Sequence, residues 1–204
     1  MAEPLVDKNG LTEEEFLARY TPKDYPRPSL TADNCVFRRS GAGAPELLLV
    51  RRGGHPYLGR WALPGGFVSP GETALEASAR ELVEETGVRG LALEPVGLYS
   101  EPGRDPRGWV VSQAFVALDA EGRTARAGDD AADARWFSLD ASCGSDRGRI
   151  VCTAGDAVLT CEFEVARGPV TGRPQARGVR GEGFAFDHAR IVADAYLLAS
   201  GALF

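Results

Sequence analysis

Three glutamates close together in the sequence, Glu81, Glu84 and Glu85, are the residues best suited to do chemistry. On a helix they would fall within one sector about 100° wide. Like charges about 6 Å apart repel by about 3 kcal/mol at an effective dielectric constant of about 20, and a bound cation would offset that repulsion. The alternative is a solvated acidic face, which is the commoner explanation for glutamates on a helix.

A helix must position these glutamates, and the pattern predicts one over residues 72–86. It follows a loop rich in Gly and Pro at residues 63–71, and Gly87 is expected to end it. Apolar spacing at about 100° per residue predicts a stripe that faces the core. The residues of that stripe are Leu75, Ala79, Leu82 and Thr86.

The glutamates belong to a longer pattern that runs from Gly66 to Val88, GFVSPGETALEASARELVEETGV. Its fixed positions are Gly, Glu, Arg-Glu, an aliphatic residue, Glu-Glu, Gly and an aliphatic residue. At these spacings the pattern resembles the signature of the Nudix hydrolases at every fixed position. A match of this kind arises by chance with a probability on the order of 10⁻⁷. The resemblance is therefore favoured over a solvated face.

The resemblance implies a loop-helix-loop that holds a divalent metal against a pyrophosphate, usually Mg²⁺, with Mn²⁺ possible. Hard oxygen donors suit both ions. Glu81 and Glu85 resemble the main ligands, and Glu84 resembles either a further ligand or an aid to water activation. In relatives the carbonyl before the first glycine of the pattern also binds metal, which implies Gly65 in this chain.

Two further members of the pattern resemble supporting residues. Arg80 and Glu72 resemble the pair that orients the metal-binding carboxylates, so Arg80 is grouped with the catalytic residues without binding metal. Gly66, Gly71 and Gly87 need no chemical role, because tight backbone geometry explains a glycine at each position.

Four arginines are candidates for binding the substrate's phosphates. Arg51 and Arg52 end a predicted strand, where Nudix enzymes acting on nucleoside diphosphate sugars often have a cation, although solvated arginines are equally common there. Arg104 and Arg107 lie in the 101–108 loop, which resembles the loop that follows the pattern in ADP-ribose pyrophosphatases and their regulatory relatives. A plain hairpin turn would also explain this loop. Arginines beside a metal-phosphate site are natural diphosphate clamps.

Composition limits the class of protein. With 204 residues, 44% of them hydrophobic, the chain is long enough for one domain with a real core. A net charge of −6 argues against general nucleic-acid binding. No apolar run approaches about 18 residues and the first residues do not resemble a signal peptide, so we expect a cytoplasmic protein that does not bind membranes. The four cysteines show no CxxC spacing, which favours buried thiols over a zinc site.

The remaining pattern alternates strands and helices. A capping box at Thr12 and Glu15 predicts a short helix. Predicted strands cover residues 30–38, 46–52, 91–100, 109–118 and 134–139. The resemblance implies an α/β fold, a Nudix-type α/β/α sandwich with a mixed β-sheet. We expect one domain over residues 1–204, made of an N-terminal helix and lead-in (1–28), the core, an insertion (140–184) and a C-terminal helix (187–200).

The insertion is expected to hold a β-hairpin formed by residues 148–153 and 157–165. Residues 168–183 are rich in Gly, Arg and Pro and predict a mobile loop. Two roles stay open for the insertion, covering the substrate or forming a dimer contact. In the helix that follows, Asp187 is the expected N-cap, and His188 is expected to be structural.

The resemblance implies Mg²⁺-dependent hydrolysis of a nucleoside diphosphate linked to another group, first of all ADP-ribose to AMP and ribose 5-phosphate. A glutamate would accept the proton of the attacking water, and Glu162 or Glu164 could do so, since some relatives use a loop glutamate. Two alternatives stay open. The substrate could be a sugar nucleotide, another dinucleotide or a damaged nucleoside triphosphate, or the protein could be a sensor that binds ADP-ribose without cleaving it.

The sensor alternative has a structural counterpart. Nudix-related transcriptional regulators of NAD metabolism continue into a winged helix, which we do not expect in a chain that ends at Phe204. A small-molecule nucleotide is the expected partner, and a homodimer is expected by resemblance only.

Overall fold

A computed structural model describes residues 4–39, 43–128 and 131–203. In this part of the chain the helices are α1 (Glu13–Arg19), α2 (Ala74–Thr86) and α3 (His188–Leu203). The strands are β1 (Ser29–Arg39), β2 (Pro45–Arg52), β3 (Trp61–Ala62), β4 (Gly65–Phe67), β5 (Glu94–Tyr99), β6 (Val110–Asp119), β7 (Ala131–Cys143), β8 (Arg147–Ala154), β9 (Ala157–Arg167) and β10 (Pro174–Glu182).

The strands form one mixed sheet in the order β10-β9-β8-β7-β2-β1-β6-β5, with β3 paired to β2 and β4 paired to β1. β1 and β6 run parallel, whereas β1 and β2 run antiparallel. The predicted strands of the core are confirmed, with bounds that differ by a few residues. The start of the turn expected between β1 and β2, residues 40–42, lies outside the described residues.

The two faces of the sheet carry different helices because side chains alternate along a strand. Cys35 and Phe37 of β1 belong to the same core cluster as Ile191 of α3. Val36, between them in sequence, packs in the cluster that contains Leu82 of α2. The α/β/α sandwich with a mixed sheet is therefore confirmed.

Helix α2 begins and ends at local signals. The Thr73 side chain accepts from the Glu76 backbone N–H, and Glu76 completes the capping box. Gly87 ends the helix in a left-handed conformation with φ of 71°, and its N–H donates to the Val83 carbonyl. The predicted start at residue 72 is thus two residues early, and the predicted end is confirmed.

The predicted buried stripe of α2 is partly wrong. Leu75 is 48% exposed and Ala79 is also exposed. The buried residues are Ala77, Ser78, Leu82 and Thr86. Ser78 hydrogen-bonds to Asn34 of β1, so the helix turns a small polar residue toward the sheet where apolar spacing alone favours leucine.

The insertion is more ordered than its composition suggests. The predicted hairpin is confirmed as β8 and β9. The predicted mobile loop is wrong, because most of it forms β10, which pairs antiparallel with β9. Close packing explains one of its glycines, Gly181, because a Cβ there would lie only 2.3 Å from Cβ of Ala189. The edge strand therefore lies directly against α3.

The cysteines are unpaired, and Cys35, Cys152 and Cys161 are buried as expected, whereas Cys143 is exposed. Cys152 lies opposite Leu159 in the β8–β9 pairing, so Cys152 and Cys161 do not face each other. Across the described ranges, no helix combines the length and the apolar character that crossing a membrane requires.

Candidate active site

The two main candidate ligands lie in a cavity of about 790 Å³. β4 pairs with β1 at the floor of this cavity. The Gly65 N–H donates to Oε2 of Glu85 over 2.9 Å. At Gly66 a Cβ would lie 2.3 Å from Oε1 of Glu81, so only glycine leaves room for that carboxylate. Both glutamates are therefore held against the backbone of β4.

Arg80 connects the remaining acidic residues of α2 and the loop before it. Its Nη1 donates to Glu81 over 2.7 Å and to Glu84 over 3.0 Å. Its Nη2 donates to Glu72 over 2.7 Å and to the carbonyl of Phe67 over 3.0 Å. The bonds from Arg80 and from the Ser69 backbone lower the pKa of Glu72 to about 2. One guanidinium is thus shared among three carboxylates, which leaves negative charge in excess.

The pKa of Glu85 is raised to about 7. Burial is the main cause and the neighbouring carboxylates of Glu81 and Asp33 add to it, whereas the Gly65 N–H and Arg52 oppose the shift. Asp33 is 6% exposed, and its Oδ2 accepts a short hydrogen bond from the Ser112 hydroxyl. Asp33 is not among the site residues predicted from the sequence, although a buried aspartate inside an otherwise apolar strand often indicates a functional site.

The donor set fits a hard divalent cation. It offers the carboxylates of Glu81 and Glu85 and the backbone of Gly65, and the Glu81 carboxylate lies close enough to help raise the pKa of Glu85. Within the three described ranges, no three His, Cys, Asp or Glu side chains converge on one cation-sized point. Glu84 points to Arg80 and its side chain is 42% exposed.

All four candidate arginines line the same cavity, namely Arg51, Arg52, Arg104 and Arg107. Arg51 donates to the Gly59 carbonyl over 3.2 Å, and Arg52 donates to the Pro56 carbonyl over 2.7 Å. These two side chains use one hydrogen-bond donor each on the backbone of the loop that follows β2. The rest of each guanidinium remains available to an anion.

Arg104 and Arg107 each hold a carboxylate. The side chain of Arg104 is only 5% exposed and donates to both oxygens of Asp187, over 2.9 and 2.6 Å. Arg107 is 41% exposed and pairs with Asp105 over 2.7 Å. Asp187 therefore uses its carboxylate on Arg104, where an N-cap interaction was expected. Its position directly before α3 is as predicted.

Aromatic rings lie beside the arginines. The Arg107 guanidinium lies 5.0 Å from the ring centre of Phe67 and 5.5 Å from that of Phe186. Arg52 lies 4.9 Å from Phe186, which packs on Tyr57 at 4.8 Å. Tyr57 and Phe186 have φ of 62° and 52°, which is uncommon for aromatic residues and marks a constrained backbone. No local sequence signal brings these rings together.

Two other expectations concern residues beyond α2. Glu162 and Glu164 of β9 line a separate groove of about 530 Å³, away from the cavity. His188 is 4% exposed, and its Nδ1 accepts a hydrogen bond from the Leu63 N–H over 2.8 Å. The side chain thus fixes the backbone at Leu63, in keeping with a structural role. Its ring also lines the cavity.

Comparison with known proteins identifies the family of this chain. The family model of the NUDIX domain matches residues 28–150. This chain belongs to the Nudix family. The Nudix pattern at residues 66–88 lies within the matched region, and so do the four arginines. Asp187 and His188, which line or support the same cavity, lie beyond it.

Three Nudix relatives are informative. An ADP-ribose pyrophosphatase of Methanocaldococcus jannaschii is 42% identical over 116 residues, 57% of this chain and 65% of that protein. A MutT/nudix family protein from Enterococcus faecalis superposes with a TM-score of 0.76 and 32% identity, over 94% of this chain and 70% of that one. The NUDIX domain of Shewanella oneidensis NrtR, complexed with ADP ribose, gives a TM-score of 0.57 and 33% identity, over 63% of this chain and 84% of that one.

The sequence matches are partial. They span less than two thirds of the length of the curated relatives, from 44% to 65% in four of them. The structural match to the Enterococcus faecalis protein covers nearly the whole chain and therefore includes the insertion strands.

Proposed function

We propose that this chain is a metal-dependent Nudix hydrolase that cleaves a nucleoside diphosphate linked to another group. ADP-ribose is the preferred substrate, with AMP and ribose 5-phosphate as products. The observation that carries the proposal is a single cavity lined both by glutamates of α2 and by four arginines. We call the first group, with β4, the acidic side and the arginines the cationic side. Together they suit a divalent cation and a diphosphate bound next to each other.

The acidic side would hold the metal. Glu81, Glu85 and the Gly65 carbonyl are the donors for Mg²⁺ or Mn²⁺, with Glu84 as a further donor. When bound, the ion neutralises diphosphate charge and makes water more acidic. Arg80 keeps Glu81 and Glu84 oriented by donating to both. Because Glu162 and Glu164 lie elsewhere, a glutamate of α2 is the proposed acceptor of the water's proton.

The cationic side would bind the diphosphate. Arg52 and Arg107 are the principal phosphate contacts, since each faces the cavity and Arg107 is held in place by Asp105. Arg104 contributes positive charge to the cavity, and its two hydrogen bonds to Asp187 fix the position of its guanidinium. Phe67 is 44% exposed beside Arg107 and offers a flat face on which a nucleobase can stack.

The choice of ADP-ribose rests on the relatives. One is named ADP-ribose pyrophosphatase, and the NrtR domain is complexed with ADP ribose. The second of these also supports the alternative function, a sensor that binds ADP-ribose without cleaving it. A different nucleotide substrate is the other alternative, because the Nudix pattern contacts the pyrophosphate and leaves the attached group open.

Hydrolysis of ADP-ribose by the purified protein with Mg²⁺ tests the proposal, with AMP followed by chromatography. We expect AMP formation that chelator abolishes, at about 1–100 turnovers per second. Saturable ADP-ribose binding without AMP would replace the proposal with the sensor. A panel of other nucleotides would be incubated with the protein and alkaline phosphatase. Phosphate release from one of them, without cleavage of ADP-ribose, would change the proposed substrate and keep the proposed hydrolase activity.

We further propose that the protein is a homodimer. Helix α1 has no buried residue, and apolar side chains of the N-terminal segment are exposed, including Leu17 at 60% and Tyr25 at 64%. A second copy of the chain would cover them. Sedimentation of the full chain should give a dimer mass, and the double variant Phe16→Asp, Leu17→Asp should give a monomer. A monomeric wild type would contradict the proposal.

A further inference from the structure

Asn34 of β1 is fully buried, yet every polar atom of its side chain is hydrogen-bonded. Its Nδ2 donates to the Pro64 carbonyl over 3.2 Å and to the Ser78 carbonyl over 2.9 Å. Its Oδ1 accepts from the Ser78 hydroxyl over 2.5 Å. The Asn34 backbone N–H also donates to the Pro64 carbonyl, over 2.8 Å. One residue therefore ties β1 both to helix α2 and to the turn before Gly65.

The same turn is held from the opposite face of β1. Nδ1 of His188 accepts the Leu63 N–H, which requires that this nitrogen carries no proton. Burial lowers the pKa of His188, so the neutral ring is favoured. Its Nε2 lies 3.8 Å from Oδ1 of Asp33. Asp33 is in turn fixed by Ser112, so a buried carboxylate lies beside the imidazole.

These contacts leave the turn little freedom. The Leu63 N–H, the Pro64 carbonyl and the Gly65 N–H are all engaged, the last by Glu85. Gly65 also lies so close to β1 that a Cβ would be 2.3 Å from the carbonyl oxygen of Ala32. The direction of the Gly65 backbone and the place of the Glu85 carboxylate are thus determined together.

We propose that Asn34 and His188 are positioning residues that preset the Gly65 carbonyl and the Glu85 carboxylate for the divalent cation before any cation binds. The inference rests on the proposed function only in taking Gly65 and Glu85 as cation donors. Asn34 acts through Pro64 and Ser78, and His188 acts through Leu63. Donors that are already oriented bind a cation without a further cost of ordering them.

Binding of Mn²⁺ to the full chain, followed by electron paramagnetic resonance without substrate, tests the inference. Asn34→Ala should weaken Mn²⁺ binding about 10- to 100-fold, the range typical of residues that orient metal ligands. The matched control is Cys35→Ala, which removes a side chain of the next residue, equally buried but packed on the face of α3. It should leave Mn²⁺ affinity within about threefold of wild type.

If Asn34→Ala does not fold, the Mn²⁺-binding test is made on Ser78→Ala instead. It removes only the hydroxyl that donates to Asn34 and leaves the Ser78 carbonyl as an acceptor. We expect about a 3-fold weaker affinity for Mn²⁺, corresponding to loss of one buried hydrogen bond in the support. Wild-type Mn²⁺ affinity in folded Asn34→Ala, or in Ser78→Ala where the former is unfolded, would overturn the inference.

Hydrogen exchange on the metal-free protein gives a second measurement that does not depend on activity. The amides of Leu63 and Gly65 should be protected in wild type and exchange faster in Asn34→Ala or Ser78→Ala, but not in Cys35→Ala. Rapid exchange of both amides in metal-free wild type would overturn the inference. A wild type that binds Mn²⁺ but does not cleave ADP-ribose would instead refute the proposed substrate and leave this inference standing.

Discussion

The acidic and cationic sides of the cavity are built in different ways. The acidic side comes from one stretch of chain, β4 and helix α2, and Arg80 links its members. The cationic side is assembled from the end of β2, the 101–108 loop and the residues before α3. Chain continuity positions the first side, whereas packing between distant segments positions the second.

The two sides also differ in charge balance. On the acidic side one guanidinium serves three glutamates, and the pKa of Glu85 is raised mainly by burial and further by the carboxylates of Glu81 and Asp33. On the cationic side Arg104 and Arg107 each already pair with an aspartate. The acidic side therefore carries negative charge that a cation would neutralise. On the cationic side, the aspartates hold Arg104 and Arg107 in place, and these two arginines can direct only part of their hydrogen-bond donors to a phosphate.

The largest effect is expected from Glu85→Gln. The amide oxygen can still accept the Gly65 N–H, so the fold should persist, whereas loss of the charge should lower kcat for ADP-ribose about 10²- to 10³-fold. The control is Glu94→Gln, at an exposed position that starts β5. Near wild-type turnover of Glu85→Gln would exclude this residue from the proposed set of metal ligands.

Substitutions at the adjacent Gly65 and Gly66 should affect different quantities, metal affinity at Gly66 and the stability of the fold at Gly65. In Gly66→Ala the new methyl meets the end of the Glu81 side chain, which can move away, so Mn²⁺ affinity should fall about 10-fold or more with little change in Tm. In Gly65→Ala it meets the Ala32 carbonyl and the Cα of Asp33, which cannot move, so the free energy of unfolding should fall by about 3 kcal/mol. Equal Tm values for the two variants would show that backbone crowding at Gly65 is relieved.

The two loop arginines should likewise differ. Arg104→Ala strands the Asp187 carboxylate and should lower the free energy of unfolding by about 2–3 kcal/mol, less than for a fully buried pair because Asp187 is 21% exposed. Arg107→Lys keeps a cation but loses the flat guanidinium beside Phe67 and Phe186, so KM for ADP-ribose should rise about 10-fold with kcat nearly unchanged. Chemical denaturation and steady-state kinetics of both variants measure the difference. An unchanged KM in Arg107→Lys would leave Arg52 as the main phosphate contact.

The smallest effect concerns the pH dependence of stability. Burial lowers the pKa of His188 below its ordinary value of about 6.5, so the folded state binds fewer protons than the unfolded state as pH falls past 6.5. The stability contributed by the neutral ring is complete above that pH and declines below it. Between about pH 7 and pH 5.5 this contribution lowers the Tm of wild type as the pH falls, whereas Glu85, whose pKa is raised to about 7, takes up a proton in the folded state and raises the Tm over the same interval. The effect of His188 is therefore measured as a difference in Tm slope between wild type and a His188 variant.

The chain's two histidines provide the comparison for this prediction. As the pH falls over that interval, the Tm of His188→Gln should decline less, or rise more, than that of wild type, because the titrating imidazole is gone. His55→Gln, at an exposed position, should retain the wild-type slope. Identical slopes in all three proteins would assign the pH dependence to carboxylates.

Several features of this protein follow from the sequence alone because the interactions that cause them are local. The capping box of α1, the glycine that ends α2 and the approach of Arg80 to Glu72 and Glu84 all involve residues a few positions apart. Helical spacing fixes which of these side chains can meet. The Nudix pattern is also contiguous in the sequence, and so the family could be predicted.

Other features were decided only by tertiary structure. The Arg104–Asp187 pair, the rings of Phe67 and Phe186 around Arg107, and the folding of β10 onto α3 join segments far apart in sequence. Their geometry depends on the register of the sheet and on which face each helix packs against, and neither is encoded in a short stretch. The rotation of α2 shows the same limit, because the hydrogen bond between Ser78 and buried Asn34 outweighs the apolar spacing that turned Leu75 inward in the prediction.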